Sequence, residues 1–145
     1  MRKAVRAIVV QDGKLLVIRR NKFGSVYYTL PGGGIDPGET AEQALVREMA
    51  EETSVQVEID RQVYVEDAGD PFGIQYVFLC HYVNGEPALH PESEEAIITA
   101  MGQNLYIPEW VPLDSIRDVN FRTDKLRTAL LRDWPMGFKE KVETL

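Results

Sequence analysis

A chain of 145 residues is long enough for one domain with a real core, and a formal net charge of −7 excludes a broad basic face for nucleic acid. Apolar content is an ordinary 44%, and no apolar run approaches the ~20 residues of a membrane span. The one cysteine, Cys80, excludes an internal disulfide and a zinc pattern, reads as a small buried hydrophobe, and points to the cytoplasm. The overall field opposes anionic ligands, so any anion bound here would need local positive charge.

The N-terminal MRKAVRAIVVQDG lacks a small-residue cleavage site, and Arg6 interrupts its apolar stretch, so it reads as a first strand and not a signal peptide. Ala4–Val10 and Lys14–Arg20 flank an Asp12-Gly13 turn and form a hairpin. A polar loop, 21–25, leads to a short strand over Val26–Leu30, which Pro31-Gly32-Gly33-Gly34 stops with a turn. Thr40 followed by Gln43 three residues later is a capping box, so a helix starts near Ala41. Val55–Glu66 reads as a long, bent strand, and 67–73 as a loop. Ile74–Val83 is apolar or aromatic on both faces, which places it centrally in a sheet with His81 packed in the core. Asn84-Gly85 turns the chain into a polar connection, 86–103, with a helical turn near Glu94–Met101. That connection is too long to be idle and marks a functional loop. Leu105–Val111 is a further strand, and a short helix starts at Asp114. Thr123 caps a last helix, Asp124 to about Asp133, with Leu126, Leu130 and Leu131 inward, and the tail after Pro135 is loose. No repeat, linker or low-complexity tract appears. The physical reading is one domain, residues 1–145, built as an α/β/α sandwich around a mixed sheet.

The chemistry concentrates in GGIDPGETAEQALVREMAEETSV, Gly33 to Val55. At about 100° per residue, Glu48 and Glu52 lie one turn apart with Glu51 beside them. The three border the stripe of Leu45, Val46 and Met49, which should face the core. Carboxylates at i,i+4 repel, and partial burial worsens the repulsion, so a cation is the natural compensation. Hard oxygen donors of this kind suit Mg²⁺ or Mn²⁺ shared with substrate phosphate. A solvated acidic helix face is the competing reading of the glutamates alone.

The full spacing runs Gly33, five residues, Glu39, seven residues, Arg47-Glu48, Met49, one residue, Glu51-Glu52, one residue and Val55. It resembles the Nudix box of the Nudix hydrolase (MutT-like) family. One position departs: Ser54 stands where the family usually has a glycine of positive φ, which serine adopts only at some cost. The resemblance extends over most of the chain, including the opening strands, the central strand and Trp110–Asp114, and implies the Nudix-type α/β/α sandwich.

It also implies an activity: metal-dependent hydrolysis of a pyrophosphate bond in a nucleoside diphosphate linked to another moiety. Glu48, Glu51 and Glu52 are then the catalytic and metal-ligating residues, joined by the Gly33 carbonyl. Arg47 can bridge to Glu51 and reach back to Glu39, and both support the turn. Arg20, at a strand end, is the candidate phosphate contact, with a solvated strand-end arginine as the alternative. The general base stays open between Glu48, Glu51 and one of Glu92, Glu94 and Glu95, the last three being otherwise a solvated loop. Tyr27, Tyr28, Phe23 and Phe72 are candidates to stack on a base or sugar, or else core. His90 receives no role. Relatives are often dimers, so a homodimer is an open expectation. The competing function is a catalytically silent Nudix-fold nucleotide sensor, which intact Glu48, Glu51 and Glu52 disfavour.

Overall fold

A computed structural model describes all 145 residues. In chain order the elements are β1 (Lys3–Gln11), β2 (Lys14–Lys22), β3 (Ser25–Thr29), β4 (Gly32–Gly34), α1 (Ala41–Glu52), β5 (Gln56–Asp67), β6 (Ile74–Asn84), α2 (Glu94–Ala100), β7 (Asn104–Pro112), a 3₁₀ turn (Leu113–Asp118), α3 (Asp124–Asp133) and β8 (Glu143–Thr144). The strands run in the order β3-β2-β1-β6-β5-β8, with β4 also on β1 and β7 also on β2.

Asp12 (φ 53°) and Gly13 (φ 74°) make the left-handed two-residue turn that suits the twist of a hairpin. β1 and β2 pair only near that turn, at Val10↔Leu15 and Gln11↔Lys14, and then diverge. β1 runs parallel to β6 along Lys3–Val9, while β2 joins β3 and β7. The sheet is therefore mixed, and the site lies where these arms separate.

Alternation along β1 sends neighbours to opposite faces. Val5, Ala7 and Val9 pack with Leu16, Phe78 and Cys80 against Ala44, Leu45 and Met49 of α1. Ile8 packs with Val17 and Val77 against Leu113, Ile116, Leu126 and Leu130 on the other side. Helices thus cover both faces, giving the α/β/α sandwich. Burial pushes the Cys80 thiol up to about 12, which leaves it inert.

Several expectations are corrected. Gly32–Gly34 is not merely a turn but a strand paired antiparallel with β1 (Val5↔Gly33). A Cβ on Gly32 would lie 1.9 Å from the Val5 carbonyl oxygen, so glycine permits that close approach. The loop at 21–25 shrinks to Phe23-Gly24, because β2 continues to Lys22. Val46 is 57% exposed: it lies a further 100° beyond Leu45, and Ala44 fills the inner position instead. His81 is not a core histidine. It lies near the exposed end of β6, with Nε2 2.8 Å from Asp60 Oδ2. The tail after Pro135 is tied down. Glu143 and Thr144 pair with Tyr64 and Val65, Phe138 meets the Tyr64 ring edge-on, and Arg132 binds Glu143.

Candidate active site

Thr40 accepts from the Gln43 N–H at 3.1 Å and Gln43 Oε1 accepts from the Thr40 N–H at 2.9 Å, which fixes the start of α1. Leu45 and Met49 anchor the helix in the core, and the same face carries Glu48 and Glu52 inward, 7% and 5% exposed. The Gly32 N–H donates to Glu52 Oε1 at 2.9 Å. Gly33 passes against Glu48 so closely that a Cβ there would sit 2.5 Å from its Cδ. The triple glycine therefore serves the carboxylates as much as the turn.

α2 supplies the third carboxylate. Ligand oxygens of Glu48, Glu52 and Glu95 all lie within 4.8 Å of one another. Burial pushes Glu52 up to about 8 against the pull of Arg6 and the Gly32 N–H, and raises Glu48 against the pull of Arg47. Glu95 repels both. Two buried carboxylates whose burial disfavours ionisation, joined by the half-buried Glu95, fit a hard divalent cation, whose charge reverses that balance. Glu51 stands outside the cluster. Its side chain is 40% exposed and lies 3.5 Å from Arg47, lining the same cavity.

The loop before α2 is fastened to the end of α1. The Ala88 N–H donates to the Thr53 carbonyl and the His90 N–H to the Glu51 carbonyl, both at 2.8 Å. A helix C-terminus leaves carbonyls of this kind without intrahelical partners. Ser54, at φ 58°, takes the left-handed position and donates from Oγ to the Ala88 carbonyl at 2.7 Å, a bond that glycine could not make.

Arg47 is the hub between turn and helix. Nε and Nη2 grip both oxygens of Glu39 at 2.8 and 2.9 Å, Nη2 also donates to the Gly34 carbonyl at 3.0 Å, and Nη1 reaches Glu48 at 2.9 Å. The Arg47 bonds and the Asp36 N–H pull Glu39 down to about 2.

These residues line a cavity of about 870 Å³ that is also lined by cationic side chains. Arg2, Arg6, Arg20 and Arg122 line it, and no carboxylate lies within ion-pairing distance of any of them. Arg20 stacks on Tyr106, 3.7 Å from the ring centroid, and donates to Tyr27 Oη at 3.2 Å and the Leu105 carbonyl at 3.1 Å. Arg122 stacks on Tyr27 at 4.1 Å, with Phe72 at 5.7 Å. Tyr27 and Phe72 thus line the cavity, Tyr28 packs against the core, and Phe23 is 68% exposed. Arg19 turns to the other face and pairs with Glu109.

Sequence reasoning missed Arg6, Glu66, Gln75, His90, Arg122 and Thr123, all of which line the cavity. Arg6 had a signal, a charge at an inward-alternating position of an apolar strand. Thr123 was legible only as a helix cap. It accepts from the Leu126 N–H and also donates to Glu66.

The sequence pattern of the NUDIX domain matches residues 1–131. An ADP-ribose pyrophosphatase from Methanocaldococcus jannaschii is 38% identical over 99 residues, 64% of this chain and 58% of that protein. An NAD-capped RNA hydrolase from Photobacterium profundum is 29% identical over 111 residues, 77% of this chain and 41% of that protein. The match thus spans about half the length of these curated relatives. A solved ADP-ribose pyrophosphatase from Streptococcus suis superposes with a TM-score of 0.66 at 23% identity, covering 99% of this chain and 96% of that one, which is a likeness of fold. A pattern that matches nine-tenths of the chain, a shared fold and three carboxylates gathered behind a glycine strand all agree, and the chain belongs to the NUDIX domain family.

Proposed function

We propose that the protein is a divalent-metal-dependent hydrolase of the pyrophosphate bond in a nucleoside diphosphate linked to another moiety. The observation that carries this is the meeting of two features in one cavity: the Glu48–Glu52–Glu95 cluster and four arginines without carboxylate ion pairs, of which Arg6 lies beside Glu52. An anionic substrate bridging them meets positive charge at both ends.

Glu48, Glu52 and Glu95, with the Gly33 carbonyl, would hold Mg²⁺ or Mn²⁺, and Glu51 stands next to them. The bound ion supplies charge neutralisation and a more acidic water. The chain's own groups do the rest. Arg6, half-buried beside Glu52, is held by Gln75 Oε1 at 2.9 Å and the Leu30 carbonyl at 3.0 Å, so it meets a phosphate oxygen without reorganisation. Arg20, fixed on Tyr106, takes the next phosphate. Water forms a bond to phosphorus as the bridging P–O bond breaks. Its proton passes to a cavity carboxylate, one of Glu48, Glu51, Glu92, Glu94 and Glu95, and the departing phosphate keeps the electron pair. Arg47 and Glu39 do not touch substrate but hold the glycine strand against α1. A cytoplasmic location fits the single buried thiol, and no helix is long and apolar enough to cross a membrane.

The test is a panel of nucleotide-linked diphosphates, including ADP-ribose, assayed for phosphate-ester products with Mg²⁺ or Mn²⁺. Metal-dependent turnover of at least one member is expected, abolished by chelator. Nucleotide binding without turnover of any member would replace this reading with a silent sensor.

A further inference from the structure

A second polar feature of the cavity is not part of the carboxylate cluster and takes no part in the chemistry above. Glu66, on β5, is 3% exposed yet lines the cavity. Its only hydrogen-bond donor within the chain is the Thr123 hydroxyl, whose one proton is shared between the two oxygens at 2.7 and 2.8 Å. No lysine or arginine pairs with it. A carboxylate offers about four acceptor positions, so most stay open here. Leaving a buried carboxylate so thinly satisfied is costly unless a ligand completes it. Its neighbours cannot help. Gln75, the cross-strand partner of Glu66, already donates to the Phe72 carbonyl at 2.6 Å and accepts from Arg6. Flat surfaces line the same cavity, where the Arg122 guanidinium lies 4.1 Å from the Tyr27 ring centroid and 5.7 Å from that of Phe72.

We propose that Glu66 is a substrate-reading residue that accepts a pair of adjacent hydrogen-bond donors from the nucleoside part of the substrate. Two nucleoside groups present such a pair: a base edge with neighbouring ring N–H and amino groups, as in guanine, and the vicinal hydroxyls of ribose. This deepens the nucleotide reading above and rests on it. A purely structural role, with Glu66 buttressing the N-terminus of α3 through Thr123, would leave ligand preference untouched.

The test is binding by calorimetry of the whole chain with Ca²⁺ in place of Mg²⁺, so that affinity is read without turnover. GDP is compared with IDP, which lacks the 2-amino group, and ADP with 2′,3′-dideoxy-ADP. A site built to accept hydrogen bonds rejects the analogue that lacks the donor, so at least one comparison should show about tenfold tighter binding of the complete ligand. GDP over IDP assigns the base edge, and ADP over its dideoxy analogue assigns the diol. Glu66→Gln, folded by thermal melting, should bring the surviving ratio to within about twofold. The proposal is overturned if neither ratio exceeds twofold in the native protein, or if Glu66→Gln keeps the ratio. The native comparison suffices should the variant fail to fold. A clear ratio with no turnover of any substrate under Mg²⁺ would sink the hydrolase reading and leave this one standing. Turnover with flat ratios would do the reverse.

Discussion

α1 and α2 both deliver carboxylates to one cluster, but they are held in different ways. α1 is 12 residues long, starts in a capping box and buries Ala44, Leu45 and Met49 in the core. α2 has 7 residues and buries none of them. It is placed by its ends: Ser93 caps it, Thr99 Oγ1 accepts from the Tyr106 N–H at 3.1 Å, and the preceding loop hangs on the last carbonyls of α1. Glu48 and Glu52 thus ride on a helix anchored in the core, and Glu95 on a half-buried helix held by its end contacts and by β7. Packing makes a rigid half of the site; a helix with no buried residue makes an adjustable one.

The largest effect should follow from attacking the rigid half. Glu52→Gln is expected to lower turnover by at least about 100-fold and to abolish the stabilisation that Mn²⁺ gives in thermal melts. The fold should persist, because Gln can still accept from the Gly32 N–H. Full activity in this variant would remove Glu52 from the ligand set.

Arg47→Lys comes next, since a lysine cannot grip Glu39, Gly34 and Glu48 together. Metal affinity should fall by roughly 10- to 100-fold. Melting temperature should fall as well, because lysine leaves several of these bonds unmade. Glu95→Gln should weaken Mn²⁺ binding to a similar or lesser degree but, with no packing to lose, leave melting temperature nearly unchanged. That split between affinity and stability is what distinguishes α2 from α1. Equal destabilisation by both variants would erase the contrast.

Ser54→Gly offers a finer cut. Its left-handed φ costs a side-chain-bearing residue about 1 kcal/mol or more, and the bond to Ala88 returns about 0.5–1.5 kcal/mol. These terms nearly cancel, so melting temperature should hardly move. Hydrogen exchange at the Ala88 and His90 amides should quicken, and metal should bind a few-fold more weakly. Unchanged exchange would mean that the backbone bonds alone hold the loop.

The smallest effect concerns β8, another element held by polar contacts. Arg132 keeps Asp133 and Glu143 below the usual carboxylate range. Their folded values lie below the unfolded ones, so this stabilisation is complete above the unfolded range and is lost as pH falls through the folded values. On acidification, protection of the Leu145 amide, bonded to the Val65 carbonyl, should decline while the α1 amides stay protected.

Much of α1 was legible because its signals are local. The Thr40–Gln43 box, the i,i+4 glutamates and the inward Leu45 and Met49 all lie within one helix and its cap. Val46 was misplaced because a helical wheel shows where a stripe centres but not where its partner surface ends. His81 was misplaced because alternation shows which face a residue takes but not how far along a strand the cover extends. The β8 pairing depends on Tyr64 and Val65, nearly 80 residues earlier, and no pattern in the tail announces it.

The sequence by itself determined the α1 half of the candidate site. Glu48, Glu52 and the glycines that make room for them are close in the chain, and helix geometry converts that spacing into positions. Tertiary structure alone decided the other half. It chose Glu95 from the three glutamates of its loop, and it brought Arg6, Glu66 and Arg122 into one cavity with Arg20 and Phe72, the two that the sequence had offered. Those contacts join residues far apart in sequence, where position depends on strand register and packing and not on local spacing.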